Sequence, residues 1–105
     1  MVTEISPADL KARLEGGAAP LVLDVREDWE RDIARLAGTL DIPMGQITAR
    51  LGDLPKNREI VVMCRSGGRS LKVAQFLDSS GYRAANLTGG ILAWARDIDP
   101  TLASY

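Results

Sequence analysis

The chain has no histidine and a single cysteine, Cys64, among 105 residues. Without an imidazole there is no histidine general base, no Cys-His or Ser-His pair and no histidine-held metal. One cysteine excludes an internal disulfide, a CxxC redox pair and a cysteine-rich zinc site. A site of carboxylates alone is left open by these counts, but the acidic residues show no clustered ligand pattern, so no metal and no cofactor is expected. Long hydrophobic runs are missing as well, and none nears the roughly 20 apolar residues of a membrane span. The opening stretch MVTEISPADLKARLEGG lacks the apolar centre of a signal peptide. Charge of one sign is not in excess either: 13 basic residues against 14 acidic give a net charge of −1. Nothing global therefore points to nucleic acid or an acidic membrane surface as partner. A cytoplasmic location and a reduced thiol are expected.

What is present suits one compact domain spanning residues 1–105. Hydrophobic residues make up 46% of the chain and charged residues 26%, enough apolar side chain for a core. Short apolar runs alternate with amphipathic stretches. Strands are predicted at residues 2–5, 21–25, 39–42, 59–64 and 83–86, the strongest being 59–64 with its β-branched centre. Ser6 is a helix cap with Pro7 behind it at the first helical position. Further helices are expected over residues 28–36, 46–54, from 68 or 69 to 80, and from 90 to about 99. In the third of these, Leu71, Ala74 and Leu77, with Val73 and Phe76 alongside, form a wide apolar face. The pattern is an α/β domain with a five-stranded, mainly parallel sheet and helices on both faces. No GxGxxG is present, and two βαβαβ halves would need more chain.

One constellation carries chemistry. Cys64 stands at the carboxyl end of the strongest strand, followed by Arg65, Ser66, Gly67, Gly68, Arg69 and Ser70 and then by the clearest helix. Ligands in parallel α/β sheets bind outside the carboxyl ends of the strands. A six-residue loop with two glycines can curl its N–H groups inward, and the helix start adds unpaired donors on the same side. Such a cradle stabilises a thiolate, with Arg65 and Arg69 adding positive charge. Arg69 can clamp an oxyanion through its fork of donors, and Ser66 and Ser70 can donate to sulfur or to the loop. A lone cysteine at a strand end is in isolation more often a small buried hydrophobe, and Gly-Gly is often only a turn. The run Cys-Arg-x-Gly-x-Arg-Ser between strand and helix favours the cradle. No Lys-Ser/Thr pair follows the glycines, which excludes a P-loop.

The segments LDVRE at 23–27, IPM at 42–44, CRSGGRS at 64–70 and NLTGGILAW at 86–94 together resemble the rhodanese-like domain, in order and over essentially the whole chain. The resemblance implies a sulfurtransferase that moves a sulfane sulfur from thiosulfate or a persulfide donor to a thiophilic acceptor through a Cys64 persulfide. It implies Arg65, Ser66, Gly67, Gly68, Arg69 and Ser70 as the substrate cradle, with Asp24 and Arg26 supporting it as an ion pair. A solvated pair at a strand end would show the same residues. Gly89-Gly90 and Trp94 match the closing segment at the rim, and for Trp94 packing in the core is the stronger reading. The family's phosphatase relatives use a loop one residue longer, so phosphatase-like chemistry is the weaker enzyme reading. A sulfur-relay or protein-interaction module, with a protein donor or acceptor, is the alternative of a different class. The chain departs from the family at 34–39, where Arg35 stands in place of a common histidine; it is counted as a supporting residue. Nucleic-acid binding would rest on Arg35, Arg65 and Arg69 alone, without interleaved aromatics. Residues 97–105 read as a frayed end or a strap for a partner.

Overall fold

The computed structural model describes residues 2–105. Five strands, β1 (Thr3–Ile5), β2 (Leu21–Asp24), β3 (Leu40–Asp41), β4 (Ile60–Met63) and β5 (Ala84–Leu87), form a sheet in the order β1-β5-β4-β2-β3. Every pairing in it is parallel. The helices are α1 (Pro7–Leu14), α2 (Asp28–Ile33), α3 (Gly68–Ser79) and α4 (Gly90–Asp97). The expected α/β architecture is present, with β4 at the centre and all four of its residues buried.

Strand periodicity divides the core into two halves. Ile60, Val62 and then Cys64 face the side covered by Val73, Ala74 and Leu77 of α3. Val61 and Met63 face the opposite side, with Leu10 of α1 and Ile91 of α4. A residue buried on both sheet faces reads in sequence as a continuous apolar run, which is why 59–64 is so legible. Cys64 is thus placed by register: it continues the α3-facing row one step past the strand end. Asn86 of β5 lies on that same face, two residues beyond Ala84.

Three elements differ from expectation. The helix predicted over 46–54 is two separate 3-10 turns, Met44–Gln46 and Leu51–Asp53. Gly52 weakens a continuous helix there, and the Tyr82 hydroxyl donates to the Leu51 carbonyl at 2.9 Å. Ile47 and Leu54 anchor the segment in the core instead. The helix expected to reach residue 36 stops at Ile33, because Ala34 turns extended with φ −157°. The buried stripe of α3 is Ser70, Val73, Ala74 and Leu77, while Phe76 is exposed and Leu71 half-buried. The caps follow the sequence more closely: the Ser6 hydroxyl oxygen accepts from the Asp9 N–H at 3.1 Å.

Two glycines shape the ends that meet at Cys64. Gly67 holds φ +108° immediately before α3, a conformation that L side chains rarely adopt. Gly90 begins α4 with φ +61°, and a Cβ there would lie 2.5 Å from the carbonyl oxygens of both Cys64 and Arg65. The close approach lets Ile91 N–H donate to the Cys64 carbonyl at 2.9 Å and Leu92 N–H to the Arg65 carbonyl at 3.1 Å. Gly90→Ala is therefore expected to destabilise the fold by about 3 kcal/mol, measured as a lower urea midpoint with an unchanged slope.

Candidate active site

The loop of residues 64–69 sits at the carboxyl end of β4, and its carbonyls at 64 and 65 are turned outward onto the start of α4. Its Ser66 and Gly67 N–H groups face inward onto the sulfur. Gly67 N–H donates to the Cys64 Sγ at 3.1 Å, Ser70 N–H at 3.4 Å and the Ser70 hydroxyl lies 3.3 Å away. Cys64 is a free cysteine only 1% exposed. Burial pushes its thiol pKa up, but bonds from the Ser70 hydroxyl and from the N–H groups of Ser70, Gly67 and Ser66 outweigh that push. The net pKa lies below the ordinary thiol value. Ser66 contributes through its backbone, with its side chain exposed.

Asn86 and Glu4 form the floor behind the sulfur. The Ser70 hydroxyl lies 2.6 Å from Asn86 Oδ1, so its one proton can serve either Asn86 or Cys64. Asn86 Nδ2 donates to the Gly67 carbonyl at 3.2 Å and to the Glu4 carboxylate at 3.1 and 3.2 Å. That orients the amide and pins the loop at its positive-φ residue. The sequence reading missed both residues. The signal available was a polar Asn86 inside an otherwise apolar strand, paired in register with Glu4 of β1.

The arginines are already engaged. Arg69 donates from Nη1 and Nη2 to the two Glu30 oxygens at 2.6 and 2.8 Å, an end-on bidentate pair. Glu30 is buried and also accepts from Glu27 N–H at 3.1 Å and the Tyr105 hydroxyl at 2.8 Å. Arg65 is exposed; its Nε donates to the Tyr105 backbone oxygen at 2.8 Å, and its guanidinium lies over the Tyr105 ring at 5.1 Å. Tyr105 also meets Trp29 edge to face at 6.0 Å. The stretch expected to fray or strap a partner thus ends against the site itself.

Beneath this lies the predicted Asp24–Arg26 pair, which is not solvated: both side chains are 0% exposed. Arg26 donates from Nη2 and Nε to Asp24 at 2.9 to 3.2 Å. Its remaining donors go to the Ala34 carbonyl at 2.8 Å, the Glu30 carbonyl at 3.3 Å and the Tyr105 hydroxyl at 3.0 Å. Arg35 stands apart from this network. It is 57% exposed and pairs with Asp41 at 2.7 Å, beside an apolar groove lined by Leu36, Ala37 and a half-buried Trp94. Among the described residues no group of three or more His, Cys, Asp or Glu side chains could hold a metal. No helix among them is long and apolar enough to cross a membrane.

The fold, the loop and the sulfur geometry agree with one family, whose domain model matches residues 6–97. The chain belongs to the rhodanese-like domain family. A sulfurtransferase of Allochromatium vinosum is 39% identical, over 98% of this chain and 97% of its own. The rhodanese-like domain protein of Staphylococcus aureus superposes with a TM-score of 0.87 at 31% identity, covering 99% of each chain. The SSP1007 protein of Staphylococcus saprophyticus does so at 0.85 and 30%, covering 99% of this chain and 100% of its own. The class these relatives support is the sulfurtransferase.

Two predictions follow from the site's electrostatics. Ser70→Ala removes one donor from the sulfur, and the Cys64 pKa is expected to rise. The rate of iodoacetamide alkylation against pH reads that shift directly. Glu30 has its carboxyl pKa lowered from the ordinary 4.5 to about 2, chiefly by the Arg69 hydrogen bonds and against the opposing effect of burial. A pKa lower in the folded than in the unfolded chain adds stability that is full above the unfolded value and lost as pH falls through the folded one. Glu30 thus contributes about 3 kcal/mol above roughly pH 5, lost as pH falls toward 2. Urea midpoints measured from pH 6 to pH 2 should fall less steeply in Glu30→Gln.

Proposed function

We propose that the protein transfers a sulfane sulfur through a persulfide on Cys64. The observation that carries this reading is the convergence of the Gly67 and Ser70 N–H groups and the Ser70 hydroxyl on one buried Sγ. The thiolate attacks the outer sulfur of a donor, R–S–SH or thiosulfate. The donor's S–S bond breaks and R–S⁻ or sulfite leaves with the electron pair. Thiosulfate leaves Cys64–S–S⁻ directly, and R–S–SH leaves Cys64–S–SH, which becomes the same anion once its proton passes to R–S⁻. That charge lies beside the inward N–H groups, which act as an oxyanion hole acts on developing charge. A thiophilic acceptor then takes the outer sulfur and the Cys64 thiolate returns; with cyanide the product is thiocyanate. No residue has to serve as a general base, because the thiol is poised by hydrogen bonds alone. In this reading Arg65, Ser66, Gly67, Gly68, Arg69 and Ser70 form the substrate cradle, with Asp24 and Arg26 as support. Arg35, paired with Asp41, supports the neighbouring surface rather than the reacting atoms. A single thiol that must stay free suits the reducing cytoplasm.

Transfer to or from a protein partner is a second reading, and the exposed ring of Trp29 favours it. Trp29 is 60% exposed and packs edge to face on Tyr105, which itself covers Arg65. A large aromatic at the mouth of a site is a usual anchor for a macromolecular partner. Slow turnover of free donors beside fast exchange with one protein thiol would select this reading.

Mass spectrometry of the protein before and after exposure to thiosulfate or cysteine persulfide tests the shared step. One added sulfur atom on the peptide containing Cys64 is expected, with none on Cys64→Ser. Unchanged sulfur transfer by Cys64→Ser would overturn the assignment.

A further inference from the structure

Two arginines flank the reacting sulfur, yet the site has little positive charge left to offer a substrate. Arg69 is paired end-on with a carboxylate at 2.6 and 2.8 Å. That carboxylate cannot swing away easily. Glu30 is 2% exposed, and its oxygens are also held by Glu27 N–H and the Tyr105 hydroxyl. The Tyr105 hydroxyl is in turn held by Arg26 Nη1, whose guanidinium is locked on Asp24. The chain of contacts from Asp24 to Arg69 therefore neutralises the Arg69 charge with a rigid, permanently ionised partner. Arg65 is likewise turned aside, with its Nε donating to the Tyr105 backbone oxygen. What faces the Sγ directly is a set of uncharged N–H and O–H dipoles, suited to a single negative charge.

Charge at the reacting end differs between the two donor classes. Thiosulfate brings two negative charges up to a thiolate, so three must be accommodated before the S–S bond breaks. A thiol persulfide brings none or one. A free Arg69 would offset the extra charge; an Arg69 already neutralised offsets far less.

We propose that Glu30 is a specificity-determining residue which, by occupying Arg69 end-on, makes the loop select thiol persulfides over the thiosulfate dianion as sulfur donors. This deepens the sulfur-transfer reading above and rests on it. Atoms and charge balance as Cys64–S⁻ plus R–S–SH giving Cys64–S–SH plus R–S⁻, with no external oxidant or reductant. Glu30 touches neither the donor nor the sulfur; it acts through Arg69.

The test compares thiosulfate with cysteine persulfide as donors at a fixed cyanide concentration, in the full chain and in Glu30→Gln. The isosteric amide keeps the shape of the carboxylate and removes its charge. Glu30→Gln is expected to raise kcat/KM for thiosulfate about tenfold, mainly through KM, and to change cysteine persulfide by less than about threefold. Glu30→Asp, which restores the charge, is expected to keep the donor preference of the parent. Tyr105→Phe removes one restraint on Glu30 and should move the ratio in the same direction as Glu30→Gln, by a smaller factor. It decides the matter if Glu30→Gln does not fold. A donor ratio unchanged in the folded Glu30→Gln variant overturns the proposal, as does an equal rise with both donors.

Sulfate protection of Cys64 against iodoacetamide gives a readout independent of turnover. Glu30→Gln should lower the half-protecting sulfate concentration about tenfold, and no change there also overturns the proposal. If neither donor loads Cys64 in any variant, the sulfur-transfer reading fails; the protection assay still reports on the charge at Arg69.

Discussion

Everything at the site depends on two hydrogen bonds that leave it, from the start of α4 to the carbonyls of Cys64 and Arg65. A loop cannot aim successive N–H groups at one atom unless its carbonyls have somewhere else to go. Here α4 supplies that destination, since the first N–H groups of a helix have no partner within it. The geometry works only because Gly90 has no Cβ to place against those same carbonyls. The cradle around Cys64 thus depends on a residue 26 positions away whose role is to carry no side chain.

A second constraint keeps the charged groups near the sulfur in fixed positions. Asp24 and Arg26 are fully buried, an arrangement whose desolvation cost is offset only when nearly every donor is used. Arg26 meets that condition through Asp24, the Ala34 and Glu30 carbonyls and the Tyr105 hydroxyl. Removing one member of such a pair typically costs about 3–5 kcal/mol, because the other is left buried and uncompensated. The same bonds explain why α2 is short: Ala34 is drawn out of the helix to face Arg26 with its carbonyl. Local structure, core stability and the setting of Glu30 therefore share one guanidinium.

The legibility of these features in the sequence follows their physical range. β4 and its flanks were readable because burial on both faces leaves a run of apolar residues, and the loop because Cys64, its glycines and its arginines are contiguous. Asp24 and Arg26 were readable as a pair, though their complete burial was not, since that depends on what packs above them. Glu30, Asn86, Glu4 and Tyr105 were not read as site residues. They reach the site from α2, β5, β1 and the last residues described, so only the folded chain brings them within hydrogen-bond distance. Glu30 looks in sequence like one more carboxylate in a charged first turn, where it does complete a capping box. Residues 46–54 misled for a different reason: their apolar spacing suits a helix, but Gly52 weakens it and Tyr82 takes the Leu51 carbonyl.

The absence of histidine gives the sulfur's environment a particular balance. Where an imidazole activates a thiol, a positive charge beside the sulfur can depress its pKa deeply. In this site burial raises the pKa while uncharged donors lower it, and the net effect is a decrease. The competition matters because thiolate nucleophilicity falls as its pKa falls, while the fraction ionised rises. Donors strong enough to ionise Cys64 completely would also hold its electron pair back from the donor sulfur. Burial works against that excess, and the pairing of Arg69 with Glu30 keeps a full cationic charge from tipping the balance. A dipole-lined pocket with Arg69 paired to a carboxylate is therefore a way to keep a thiolate both populated and reactive.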